Sequence, residues 1–201
     1  SKPPAISLSS KIAELSKLNI LSLVLVATFL GFYLGSNGEM EYNKLFLTLL
    51  GTALTAAGSG SLNHYLERDA DKKMDRTRNR PLPSGTLTPL FAVLYGMALV
   101  VIGSVMLAYF VNLLTGFLSL LTAFLYIVVY TPLKKITWLN TSIGSIPGAI
   151  PIIGGWTAAS NSISPMALVL FGIMYLWQHP HFYAIAWLCK NDYAKAKFKM
   201  L

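Results

Sequence analysis

Asn63-His64-Tyr65-Leu66-Glu67-Arg68-Asp69-Ala70-Asp71-Lys72-Lys73-Met74-Asp75 follows directly on an apolar run that begins near Leu45. Asn63, Glu67, Asp71 and Asp75 recur every fourth residue. A helix continued through them turns each side chain by only ~40° and lifts it by ~6 Å per step. One amide and three carboxylates then form a stripe on one face, descending from the membrane edge into a loop, while Asp69 points elsewhere. Polar groups at the depth of Asn63 and Glu67 are costly and serve a cavity or a partner. A line of oxygens at this pitch suits a hard divalent cation such as Mg²⁺, shared with substrate phosphates. The competing reading is a solvated helix end whose acids balance nearby basic residues.

Outward from this stretch the chain has a membrane composition. Of its 201 residues 54% are hydrophobic and 12% charged, with mean hydropathy +0.56, whereas soluble domains carry about 25% charged residues. Six runs approach the ~20 residues of a bilayer span: Leu18 to Leu34, Leu45 to Leu66, Pro89 to Phe110, Leu113 to Tyr130, Thr141 to Ala159, and Pro165 to Leu188. The fold class is therefore all-α and polytopic, a bundle of about six transmembrane helices. Val111 and Asn112 alone join the third and fourth runs, which predicts a tight hairpin. Even crossings put both termini on one face, together with all 16 Lys and Arg residues except Lys44. Lys and Arg collect in cytoplasmic loops, so the +8 charge reads as topology, and nucleic acid is not the expected partner. The single cysteine, Cys189, excludes an internal disulfide and a thiol metal site. No signal peptide is evident, and Ser1 to Lys17 is expected to lie on the membrane surface.

Other polar residues gather on the basic face. Arg76, Arg78 and Arg80 stand at alternate positions beside the acidic stripe, and guanidinium forks match phosphate oxygens; a lipid headgroup partner is the bland alternative for Arg78. Pro81 and Pro83 stiffen the loop. The next basic loop brings Lys134 and Lys135. The fifth run carries Pro147, Pro151 and the glycines 144, 148, 154 and 155, which suits a bent helix lining a pocket or close packing through small residues. Gln178, His179 and His181 lie within the sixth run, where imidazole serves haem ligation, proton transfer or mere packing. Asp192 follows, placed to complete a second acidic wall.

Assembled, four blocks in order resemble the haem O synthase (protohaem IX farnesyltransferase) branch of the UbiA superfamily of intramembrane prenyltransferases. They are Asn63-x3-Glu67-x3-Asp71-x2-Met74-x-Arg76-Thr77-x2-Arg80-Pro81-Leu82; Tyr130-Thr131 with Lys134-Lys135-x-Thr137-x2-Asn140; Gly148-Ala149-Ile150-Pro151 through Gly155-Trp156; and Trp177-Gln178-x-Pro180-His181 with Asp192-Tyr193. The resemblance implies one prenyltransferase membrane domain over residues 1–201, C-terminally truncated from a nine-helix fold, with residues 1–17 as a polar leading segment. It implies Mg²⁺-dependent transfer of a farnesyl group from farnesyl diphosphate to a vinyl group of haem b, a substrate, giving haem O. Asn63, Glu67, Asp71 and Asp192 would be catalytic, the first three holding Mg²⁺ through the diphosphate. Arg76, Arg80, Lys134 and Lys135 would bind the diphosphate. His181, Gln178 and His179 are the candidate haem contacts, His181 matching the family position. A bacterial inner membrane, or the mitochondrial inner membrane, is implied, with the active face cytoplasmic or matrix and a haem A synthase or terminal oxidase assembly as partner.

Departures from the family pattern are Lys197 where glycine is usual and Ile152 in place of the second of two prolines. Two rivals remain: a UbiA-type enzyme with an aromatic quinone-precursor acceptor, and a non-catalytic haem-binding membrane protein using His179 and His181. Alanine at Glu67 or Asp71 is expected to abolish turnover with little change in folding if the enzyme reading holds.

Overall fold

A computed structural model describes residues 7–199; Lys2 and the rest of the first six residues lie outside it, as do residues 200–201. Among the described residues all regular structure is helical: α1 (Leu8–Leu15), α2 (Leu18–Gly35), α3 (Tyr42–Asp71), α4 (Pro89–Phe110), α5 (Leu113–Phe124), a π-helical stretch (Leu125–Tyr130) running into α6 (Thr131–Leu133), α7 (Asn140–Ser160), α8 (Pro165–Leu188) and α9 (Lys190–Lys195). Four helical segments, Leu18–Gly35, Tyr42–Asp71, Pro89–Phe110 and Leu113–Leu133, are long and apolar enough to cross a bilayer. With α7 and α8, of 21 and 24 residues, they make the six-helix bundle that the apolar runs predict.

Side chains set where several helices begin by accepting from amides that the first turn leaves free. Thr88 accepts from the Phe91 amide at 3.2 Å, and Pro89 opens α4. Asn112 accepts from the Thr115 amide at 2.8 Å, which turns the α4–α5 hairpin in two residues. Ser164 caps α8 in the same way ahead of Pro165.

Small residues let the helices approach closely. A Cβ on Gly58 of α3 would fall 2.5 Å from the Gly96 carbonyl oxygen of α4. Gly31 of α2 lies against the backbone of Ile152, and Gly155 of α7 against that of Thr28. The two readings of the fifth run thus apply to opposite faces of α7. One face packs on α2, and the other turns Pro147, Gly148 and Pro151 toward an internal cavity. Pro147 and Pro151 both lie inside a helix that runs unbroken from Asn140 to Ser160.

Two expectations change. The segment before α2 does not simply rest on the membrane surface: Leu15 of α1 is fully buried against Leu82 and Ala92, docking α1 on the polar end of the bundle. The acidic stripe also stops early. α3 ends at Asp71 and gives way to turns, so Asp75 leaves the register and is exposed on the surface.

Candidate functional site

A cavity of about 480 Å³ opens among α2, α3, α5, α7 and α8. Its deep walls are apolar, with Leu107, Leu118, Ile150 and Pro151 among them. Its polar end lies on the basic face, where Lys17, Glu67, Asp71, Arg76, Arg80 and Lys134 line it.

Successive turns of α3 give that end its order. Asn63, Glu67 and Asp71 are all buried, and each meets a cation from a different part of the chain. Lys17 Nζ donates to Asn63 Oδ1 at 2.5 Å. Lys134 Nζ donates to Glu67 Oε1 at 2.6 Å. Arg80 Nη1 donates to Asp71 Oδ2 at 3.0 Å. The result is a three-rung ladder one helical turn apart per rung. Asn63 completes its amide by donating from Nδ2 to Thr131 Oγ1 at 2.9 Å, so it stands behind the wall and steadies the rungs. Burial opposes the charge on Lys134, yet the Glu67 carboxylate holds the ammonium above the ordinary lysine range; its Nζ also lies over the Tyr130 ring, 4.6 Å from the centroid. Glu67 and Asp71 are partners of sheltered cations, so alanine at either is expected on this geometry to lower stability as well.

The remaining expected residues divide. Arg76 and Arg80 face the cavity, as do Gln178 and His181, the latter stacked on Trp177 with centroids 5.1 Å apart. Gln178 is fixed by donating to the Ser145 and Met174 carbonyls at 3.1 and 3.0 Å. Lys135 points outward and is exposed, so only Lys134 of that pair reaches the site. His179 is not on the wall; its Nδ1 bonds to the Tyr175 carbonyl at 2.9 Å and its Nε2 to Ser142 Oγ at 3.1 Å, the arrangement of a packing histidine. Asp192 does not form an acidic wall of the cavity. Its two oxygens accept from the backbone amides of Asp75 and Arg76 at 3.2 and 3.3 Å, tethering the loop that carries Arg76. Lys195 of the same short helix, α9, pairs with Asp75. Sequence reading missed Lys17, whose partner lies 46 residues away. It also passed over His64, buried with neither ring nitrogen bonded among the described residues.

These residues fit a divalent cation in a particular way. Among the described residues no three His, Cys, Asp or Glu side chains form a ready metal cluster. Glu67 and Asp71 alone supply carboxylates, and Asp71 Oδ1 is a buried acceptor with no partner among the described residues. Mg²⁺ is usually held by one or two carboxylates, with substrate phosphates and water completing its shell, and this donor set meets that requirement.

Residues 24–201 match the family model described as the UbiA prenyltransferase family, and the chain belongs to that family. Its relatives include proteins named protoheme IX farnesyltransferase. The one from Solibacter usitatus is 43% identical over 94% of this chain and 68% of its own length. That from Salinibacter ruber is 46% identical over 93% and 66%, and the mitochondrial one from Homo sapiens 42% identical over 94% and 43%. The chain thus spans about two thirds or less of the length of most of these relatives. In solved structures it shares the fold of a UbiA homolog from Archaeoglobus fulgidus bound to GPP and Mg²⁺, with TM-score 0.76 and 22% identity over 94% of this chain and 67% of that one. A digeranylgeranylglyceryl phosphate synthase gives TM-score 0.78 at 19% identity over 95% and 67%. Membership and composition together make this a multi-pass membrane protein.

Proposed function

We propose that the cavity binds farnesyl diphosphate and haem b and transfers the farnesyl group to a haem vinyl carbon. The observation that carries this is the ladder of Asn63, Glu67 and Asp71 with its cations, set at the polar mouth of an apolar cavity. Four cations and two carboxylates line that mouth, an excess of positive charge that suits a diphosphate. The names of the relatives from Solibacter usitatus, Salinibacter ruber and Homo sapiens support haem as acceptor and farnesyl as donor. The GPP and Mg²⁺ in the Archaeoglobus fulgidus neighbour support a metal-assisted diphosphate.

Glu67 and Asp71 would hold Mg²⁺, which supplies charge neutralisation for the leaving diphosphate when bound. Arg76, Arg80 and Lys134 offer donors to the same oxygens as the C–O bond breaks and its electron pair departs with the diphosphate. The apolar walls exclude water from the allylic cation. The vinyl π pair closes the new C–C bond, water adds to the cation left on the porphyrin side chain, and one proton is released. His181 and Gln178 stand where they would contact the acceptor. Asn63 and Asp192 act as positioning residues, through Lys17 and through the Arg76 backbone. By the positive-inside pattern the reaction face is cytoplasmic, or matrix in a mitochondrion.

Membranes carrying this chain, incubated with labelled farnesyl diphosphate, Mg²⁺ and either haem b or 4-hydroxybenzoate, test the reading. Label in a haem product that disappears with EDTA is expected. Product from the benzoate alone, or haem binding untouched by loss of both carboxylates and without diphosphate release, would overturn it.

A further inference from the structure

Two of the three rungs are neutral pairs, and one is not. Lys134 faces Glu67 and Arg80 faces Asp71, each a cation on a carboxylate. Lys17 donates to the Asn63 amide oxygen and to the Tyr126 hydroxyl, at 2.5 and 3.2 Å, both uncharged acceptors. Its nearest aromatic face is also Tyr126, 5.9 Å from Nζ. A sheltered charge is ordinarily met by an opposite one, and an ammonium has three N–H donors, of which two are used here.

Lys17 is also held in place by unusual means. It forms the junction between α1 and α2 in a left-handed backbone conformation, φ 52° and ψ 55°. Non-glycine residues take that conformation rarely, and it persists where the surroundings enforce it. Tyr126 stacks on Tyr130, with centroids 5.8 Å apart, and Lys134 lies over Tyr130. The two ammonium groups therefore flank one stacked tyrosine pair at the cavity mouth.

We infer that Lys17 is a substrate-binding residue whose ammonium, in direct contact with no carboxylate among the described residues, takes an anionic oxygen group, a phosphate of the donor or a carboxylate of the acceptor. This rests on the site reading above and adds a residue from outside the four sequence blocks quoted for the resemblance.

Purified chain in detergent, carrying Lys17→Gln, Lys17→Met or Lys17→Arg, is titrated with inorganic pyrophosphate plus Mg²⁺, with haem b, and with haem b esterified at both carboxylates. Loss of one charge-assisted bond weakens affinity roughly tenfold. If the group is a phosphate, pyrophosphate weakens in both neutral variants and is restored in Lys17→Arg. If it is a carboxylate, haem b weakens instead, and wild type loses a similar factor on esterification. Equal affinity of wild type and both neutral variants for pyrophosphate and haem b overturns the inference while leaving the proposed function standing. So does failure of both neutral variants to fold while Lys17→Arg folds, because the ammonium is then structural. A wild-type chain that binds neither probe overturns both.

Discussion

Glu67 and Lys134, 67 residues apart in the chain, meet with Oε1 and Nζ 2.6 Å apart and both side chains largely sheltered. Removing one partner leaves a buried charge alone. Glu67→Gln should lower stability by about 3 kcal/mol, and Lys134→Met by a similar amount. The double variant should recover most of that loss, since the pair leaves together. Thermal melts of the four chains check it; additive losses would mean the two charges are independently solvated. Farnesyl transfer should be lost in all three variants.

Neighbouring glycines on α7 should answer oppositely. A Cβ on Gly155 collides with the backbone of Thr28, which no side-chain rotation relieves, whereas nothing lies within 4 Å of one on Gly154. Gly155→Ala should cost about 1–3 kcal/mol by overpacking, and Gly154→Ala should leave the melting temperature within error.

Lys197 occupies a left-handed conformation, φ 58°, which suits the glycine that the family resemblance leads one to expect there. Lys197→Gly should relieve about 1 kcal/mol of backbone strain. The measurement is proteolytic susceptibility of the segment after Lys195, which should fall in the variant.

Acid and alkali should each release the tie between α9 and the arginine loop. The hydrogen bond from Lys195 holds the Asp75 carboxyl below its ordinary 3.8, and the same bond holds Lys195 above its ordinary 10.5. A depressed carboxyl contributes stability above the unfolded value and loses it as pH falls through the folded one. A raised ammonium contributes below the unfolded value and loses it as pH rises through the folded one. The tie is therefore complete between those two ordinary values. Hydrogen exchange at residues 72–80 should quicken below and above that window, beyond the intrinsic pH dependence, and Lys195→Met should remove both steps.

Topology is checked through the single cysteine. Cys189 sits partly exposed at the end of α8 on the basic face. If the proposed orientation holds, an impermeant maleimide should label it only from the cytoplasmic or matrix side, while Glu39→Cys in a Cys189→Ser background should label only from the opposite one.

Much of this was legible in the sequence because bilayer spans announce themselves by length. Pro89–Phe110 and Pro165–Leu188 coincide with their apolar runs, and proline with a capping hydroxyl fixes each start. The positions of Glu67, Asp71, Arg80 and Lys134 around one cavity mouth were likewise foreshadowed by four-residue spacing and by the basic loops. What failed was long-range. Asp75 was extrapolated past a helix end that no proline or glycine marks. Asp192 reads as an acid facing an acid stripe until its oxygens are found on two backbone amides. His179 and His181 are two residues apart, and only packing against Ser142 and Trp177 tells them apart. Lys17 looked like one more interior-face charge, since nothing local links it to Asn63.

The stretch from Leu125 to Tyr130 winds as a π-helix, and this makes the ladder at the cavity mouth depend on counting. An α-helix advances ~100° per residue. Deleting a single position there, Val128 for instance, would tighten the coil and swing everything after it around the axis. Lys134 would be carried off Glu67 even though each amino acid that touches the ladder remained in the polypeptide. What this stretch contributes is therefore a length, the number of residues between two fixed points, and a substitution at the exposed Val128 should disturb the ladder far less than its deletion.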